Sequence, residues 1–198
     1  MQTPLPEDCE SDESRTCHIS KTGFPDMERQ ELKQLLDEFP AVFSETPGRT
    51  ELVYHNIETG ASPPVRGPVY RLSPERRQSL RRQLDEMLTD GRIEPSSSPW
   101  ASPVVMVPKS GPGDYRLCVD YRKLNRITKV DAYPMPTVDS ILESLHGATI
   151  FSSLDLKSGY YQMVLNPKDR EKTAFVCEEG LFHFTVMPFG VVNGPASF

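Results

Sequence analysis

Ser152-Ser153-Leu154-Asp155-Leu156-Lys157-Ser158-Gly159-Tyr160-Tyr161-Gln162 holds the residues best suited to chemistry. Phe151 to Leu156 reads as a short buried strand, and Ser158-Gly159 breaks it. Asp155 would then stand at the strand's C-terminal edge, where a carboxylate can hold a divalent cation and still face a ligand. Tyr160 would lie across the same small space. One carboxylate is not a two-metal centre, and the chain contains no Asp-Asp pair. The acids that follow are Asp169, Glu171, Glu178 and Glu179. They fall in a charged loop and a hairpin turn and read as solvated side chains rather than ligands.

A second chemical signal is basic. Net charge is −6, but residues 1–50 carry 11 acids against 5 bases, and residues 51–198 carry 17 of each. Within that neutral part the bases cluster. Arg66, Arg71, Arg76, Arg77, Arg81 and Arg82 stand against Glu75 alone, and Lys109, Arg116, Arg122, Lys123, Arg126 and Lys129 against Asp114 and Asp120. Such stripes could meet phosphates. They could equally be a solvated helix face and a hairpin.

The elements that must position these groups follow from pattern. Residues 1–24 are polar and acidic and read as a disordered tail. Residues 25–50 read as a short helix, Asp26 to Phe39, and a linker. Val53, His55 and Ile57 alternate as a strand with His55 on its surface. Ser73 caps a helix with Pro74 at its first position and Gly91 as its stop. Val104 to Val107 and Tyr115 to Asp120 form a hairpin about Lys109-Ser110-Gly111-Pro112-Gly113-Asp114. Its alternation sets Arg116, Cys118 and Asp120 on one face, and Tyr115, Leu117 and Val119 on the other. A helix from Thr137 or Val138 to Leu145 follows, then the Asp155 strand. Ala174–Cys177 and Leu181–Val186 make a second hairpin. Pro195 starts a helix just as the chain stops at Phe198, which reads as a cut rather than a domain edge. Trp100, the only Trp, reads as a packing residue in a Pro-bounded turn.

Composition sets further bounds. The 19 prolines against 12 glycines point to extended segments and turns. No apolar run approaches the roughly 20 residues of a membrane helix, and the acidic amino terminus is no secretory signal. Cys9, Cys17, Cys118 and Cys177 show no metal-ligand spacing, which favours a reducing, intracellular setting.

From about residue 51 onward the chain resembles the reverse transcriptase of gypsy-type LTR retrotransposons. The matching strings run in order: Gly91-Arg92-Ile93-Glu94-Pro95-Ser96-Ser97-Ser98-Pro99-Trp100-Ala101-Ser102-Pro103-Val104-Val105, then Asp114-Tyr115-Arg116-Leu117-Cys118-Val119-Asp120-Tyr121-Arg122-Lys123-Leu124-Asn125. Asp131-Ala132-Tyr133-Pro134-Met135-Pro136, the Asp155 segment, Lys172-Thr173-Ala174-Phe175 and Val186-Met187-Pro188-Phe189-Gly190 complete them.

The resemblance implies an α+β fold, the fingers and partial palm of a right-hand polymerase, over residues 51–198. It implies that Lys109 and Arg116 grip the triphosphate of the incoming nucleotide. Asp155 would be the catalytic, metal-binding carboxylate, with the Leu156 carbonyl as a further contact to Mg²⁺ or Mn²⁺. Tyr160 would exclude a 2′-hydroxyl, and Phe189, beside Gly190, would give the nucleotide an apolar contact where many retroviral enzymes carry Gln. Asp120, Arg122 and Asn125 match fingers residues near the template strand.

Implied partners are an RNA or DNA template-primer, deoxynucleoside triphosphates and the rest of a Pol polyprotein (thumb, ribonuclease H, integrase), with no membrane. By analogy the setting is a cytoplasmic virus-like particle. The family's Tyr-x-Asp-Asp turn belongs beyond Phe198, so the 198 residues alone are expected to be inactive. Two other readings remain at this point: a non-catalytic nucleic-acid-binding module, and a decayed gene fragment.

Overall fold

A computed structural model describes residues 26–43, 47–109, 113–149 and 151–198. The acidic tail, with Cys9, Cys17 and His18, and the hairpin tip 110–112 lie outside the described residues. The chain divides into two compact units between Pro47 and Gly48. In the first, α1 spans Asp26–Glu38. Leu32 and Leu36, four residues apart on one helix face, are its half-buried pair.

The second unit begins with β1 (Thr50–His55), followed by α2 (Pro74–Thr89). Ser73 is the expected cap: its hydroxyl accepts from the Arg76 amide at 3.4 Å, and Pro74 costs no helical hydrogen bond at the first position. Past the helix, Gly91 turns the chain at φ +64°, a conformation that side chains with a Cβ resist. Leu80, Leu84 and Met87 form the buried stripe.

The strands β2 (Ile93–Pro95), β3 (Ser102–Pro108), β4 (Tyr115–Val119), β6 (Phe175–Cys177) and β7 (Gly180–Phe184) make a five-stranded sheet in the order β2-β7-β6-β3-β4. The remaining strand, β5 (Met163–Leu165), pairs in parallel with β1, His55 opposite Leu165. The β3–β4 hairpin pairs Val104 with Val119 and Pro108 with Tyr115. As its alternation requires, Tyr115, Leu117 and Val119 pack toward the core.

Two clusters of buried side chains hold this unit. In one, α2 lays Leu80, Leu84 and Met87 on Val104, Phe175 and Phe184 of the sheet. The other gathers Ile57, Trp100, Tyr121, Leu124, Leu165 and Met187. Trp100 therefore packs, as expected. Each fully buried side chain of this size contributes about 1.5–3 kcal/mol.

α3 (Arg122–Ile127), which the pattern did not announce, follows β4 directly. α4 (Val138–Ser144) is capped by Thr137, whose hydroxyl accepts from the Ser140 amide at 3.2 Å. A short α5 covers Gly194–Ser197.

Three expectations need correction. Residues 151–156 form no strand, and Phe151, Leu154 and Leu156 are exposed. A strand needs a ladder partner, and no described strand pairs with this segment. His55 is not on a strand surface but 1 % exposed, its Nδ1 2.8 Å from Ser197 Oγ. Asp169 is buried rather than solvated: it accepts from the Ile57 amide at 3.0 Å and from Lys172 Nζ at 2.7 Å.

Candidate functional site

A cleft of about 610 Å³ opens between α2, the β3–β4 hairpin and the loop after β7. Four of the residues singled out from sequence line it together: Lys109, Arg116, Phe189 and Gly190. They come from segments up to 81 residues apart in sequence, joined because β4 and β7 belong to one sheet.

Lys109 ends the first arm of the hairpin, where its amide donates to the Asp114 carbonyl at 2.9 Å. Its Nζ lies 3.0 Å from an Asp114 oxygen. This hydrogen bond holds the Asp114 carboxyl below its ordinary pKa, helped by Arg82. Arg116 forms no ion pair among the described residues, so its five-donor fork is free to meet an anion.

Gln83 fixes the hairpin against α2. Its Nε2 donates to the Tyr115 carbonyl at 2.9 Å and its Oε1 accepts from the Leu117 amide at 3.0 Å. One side-chain amide thus satisfies two backbone groups of the edge strand. Sequence reasoning missed it, because a Gln between the helix's apolar positions looks like solvated surface.

Two aromatic rings, Tyr161 and Phe189, line the far wall; Tyr160, expected there from sequence, is not among the lining residues and reaches the cleft only through Phe189. Tyr160 stacks on Phe189 with centroids 5.0 Å apart and planes inclined by 18°, and Tyr161 meets Phe189 edge-on at 5.1 Å. Phe198 tilts onto the other side of Tyr160 at 5.4 Å. The glycines let these rings approach: a Cβ on Gly159 would lie 2.6 Å from Phe198 Cζ, and one on Gly194 3.1 Å from Tyr160 Cε2. Ser158, at φ +52°, lines the cleft in a left-handed conformation uncommon outside glycine. Arg92 lies across Tyr161, guanidinium carbon 5.4 Å from the ring centroid, and donates to Asp90 at 2.6 Å. Its Nε is buried without a partner.

Asp155 and Leu156 do not line this cleft. Both are exposed, and the segment that carries them has no strand to aim it. A divalent cation would find there one carboxylate and one carbonyl. Among the described residues no group of three His, Cys, Asp or Glu side chains converges. The side chains present therefore do not amount to a metal centre, since Mg²⁺ needs near-octahedral oxygen coordination.

Asp120, Arg122 and Asn125 gather at the start of α3. The Asp120 carboxylate accepts from the Arg122 amide at 3.1 Å, Nε at 2.8 Å and Nη2 at 2.6 Å. Those bonds pull its pKa down from 3.8 to about 2. Asp120 orients Arg122, and the guanidinium remains largely in solvent. Asn125 directs its amide inward, to the Gly190–Val192 backbone.

The arginines of α2 are otherwise engaged. Arg77 pairs with Glu178 at 2.6 Å and Arg81 with Glu179 at 2.8 Å. The second hairpin's turn thus neutralises half of the stripe 76–82, and its acids are ion-pair partners rather than solvated.

Comparison with known proteins bears on the fold that carries these residues. Residues 107–198 match the family described as reverse transcriptase (RNA-dependent DNA polymerase). That stretch is a reverse transcriptase domain of the kind carried by retrotransposon Pol polyproteins. Among curated proteins the chain is 38% identical, over 88% of its length, to the retrovirus-related Pol polyprotein from transposon opus of Drosophila melanogaster. It is 37% identical over 88% to that from transposon gypsy of the same organism. It spans 18% of each of these relatives. Among solved structures, prototype foamy virus protease-reverse transcriptase superposes with a TM-score of 0.74 at 29% identity, over 89% of this chain and 24% of that one. No described helix is long and apolar enough to cross a membrane.

Proposed function

We propose that this chain supplies the incoming-nucleotide cleft and part of the template-side surface of an RNA-directed DNA polymerase, within a Pol polyprotein of a gypsy-type retrotransposon. The observation that carries the reading is the meeting of Lys109, Arg116, Phe189 and Gly190 in one cleft. A triphosphate entering there would exchange the Asp114 carboxylate for its own oxygens at Lys109, a mobile point charge. Arg116 would add two parallel bonds to phosphate. The sugar would lie against the Tyr160–Phe189 stack, whose bulk leaves room for hydrogen rather than a 2′-hydroxyl. Foamy viral protease-reverse transcriptase has been solved with double-stranded DNA and with an RNA/DNA hybrid, and a template-primer of that kind is the partner proposed for the α3 surface here. Copying in cytoplasmic particles is part of the same proposal.

Two-metal transfer clamps both the attacking and the leaving oxygen. Residues 1–198 contribute Asp155 alone to that clamp, so the isolated chain is expected to bind nucleotide without extending a primer.

Titration of the pure chain with a fluorescent deoxynucleoside triphosphate tests the reading. Binding should weaken by at least tenfold in Arg116→Ala, consistent with loss of one charge-assisted bidentate contact, and should favour the deoxy over the ribo form until Tyr160→Ala removes the preference. Affinity unchanged by Arg116→Ala would overturn it.

A further inference from the structure

Asn125 and Asn193 face each other's segments in a reciprocal arrangement. Asn125 Nδ2 donates to the Gly190 carbonyl at 2.8 Å, and its Oδ1 accepts from the Val192 amide at 3.0 Å. Asn193 Nδ2 donates to the Lys129 carbonyl at 2.8 Å, and its Oδ1 accepts from the Asp131 amide at 3.0 Å. Each side chain spends one donor and one acceptor on the backbone of the other's loop. An amide does both at once; aspartate keeps the acceptor and loses the donor.

Asn193 occupies the N-cap of α5, yet its side chain makes no capping bond. An N-cap Asn ordinarily bonds its own helix. Here that contribution is given up in favour of the crossing bonds.

The loop so held carries Phe189. That ring is 52% exposed, so burial does little to fix it. Its backbone neighbour Gly190 sits at φ +92°, in the region open mainly to glycine, and the carbonyl of that residue is the one Asn125 grips. Phe189 in turn is the face on which Tyr160 stacks.

We propose that Asn125 and Asn193 are positioning residues of the nucleotide cleft: a two-sided staple that sets the Phe189–Gly190 loop, and through it the aromatic wall against the sugar. The staple also ties that loop to the segment bearing Arg122, Arg126 and Lys129, so nucleotide and template sides share one rigid connection. The role in nucleotide binding rests on the function proposed above; the staple itself does not.

Amide hydrogen exchange and ring-to-ring NOEs, measured by NMR on the 198-residue chain, test it. Asn125→Ala should speed Val192 exchange by about tenfold or more and abolish the NOE between the Tyr160 and Phe189 rings. The Leu165 and Thr185 amides, bonded within the core at 3.0 Å each, should stay slow. Asn125→Asp keeps the acceptor for Val192 but sets a carboxylate oxygen against the Gly190 carbonyl, so it should recover only part of the Val192 protection. Asn193→Ala should expose Asp131 in the same way. An unchanged Val192 amide or intact ring NOE in Asn125→Ala overturns the staple, as does full Val192 protection in Asn125→Asp, which would leave the donor half idle. In a parallel titration with a deoxynucleoside triphosphate, Asn125→Ala should weaken binding about tenfold. Equal affinity with a lost ring NOE overturns the role in the cleft. No binding by the unsubstituted chain overturns the proposed function, while the exchange data still decide the staple.

Discussion

His55 Nδ1 lies 2.8 Å from Ser197 Oγ, joining the end of β1 to α5 across 142 residues. Burial lowers the imidazole pKa from 6.5, and the charge of Asp169 opposes this only in part. The folded state thus favours the neutral ring, whereas the unfolded chain takes up a proton near pH 6.5. Stability from this site is full above that pH and is lost as pH falls below it, by at most about 1.4 kcal/mol per pH unit. The melting temperature should therefore drop between pH 7 and pH 5, and the drop should be shallower in His55→Gln. Parallel pH profiles would refute the assignment.

Asp169 and Lys172 form a half-enclosed pair that holds both backbone groups of Ile57, the carboxylate taking its amide and the ammonium donating to its carbonyl at 2.6 Å. Asp169→Ala leaves an ammonium and an amide without their partner and should cost about 3 kcal/mol in urea unfolding. Asp169→Asn keeps an acceptor for Ile57 and should cost less. Equal losses in the two variants would mean that the charge is irrelevant.

Gly159→Ala should push the Phe198 ring aside, since the added carbon would lie 2.6 Å from Cζ and 2.9 Å from Cε2. Phe198 is exposed and can swing outward. The expected cost is therefore at the low end for overpacking, about 1 kcal/mol, seen as a melting point lower by about 3 °C. An unaltered melting point would show that the aromatic stack does not contribute to stability.

The two arginine groups should separate in salt titrations of duplex binding. Arg122→Ala and Arg126→Ala should each reduce the slope of log affinity against log salt by about 0.9, one phosphate contact apiece. Arg77→Ala and Arg81→Ala should leave it unchanged, because Glu178 and Glu179 already neutralise those side chains. A slope that falls with the second pair instead would move the nucleic-acid surface to α2.

Local signals made part of this molecule legible from its sequence. Ser73, Pro74 and Gly91 mark α2 from both ends, and the Gly/Pro turn 109–114 between two apolar-rich segments marks the β3–β4 hairpin. α3 escaped notice because it lacks those marks: Tyr121 precedes it without a side-chain cap, and its buried face is Leu124 alone. Phe151–Leu156 misled in the opposite direction: Phe151, Leu154 and Leu156, interrupted by Ser152, Ser153 and Asp155, become a strand only with a partner from elsewhere. His55 and Asp169 looked like surface residues because a single polar residue carries no periodicity; their burial is decided by Ser197 and Ile57, more than a hundred residues away. In the cleft, Lys109, Arg116 and Phe189 were found through their neighbours in sequence. Gln83 and Arg92 were not, since what matters for them is contact across the fold.

The parallel pairing of β1 with β5 also bears on biosynthesis. Thr50–His55 must wait for Met163–Leu165 before its hydrogen bonds close, and His55 waits a further 32 residues for Ser197. At ordinary ribosomal speed that delay is on the order of ten seconds, far longer than a hairpin such as β3–β4 needs to form. The nascent chain should therefore assemble from its middle outward. β1 would remain an unpaired edge until the last third of the sequence has emerged, leaving this strand the segment most open to chaperones or to mispairing with another copy.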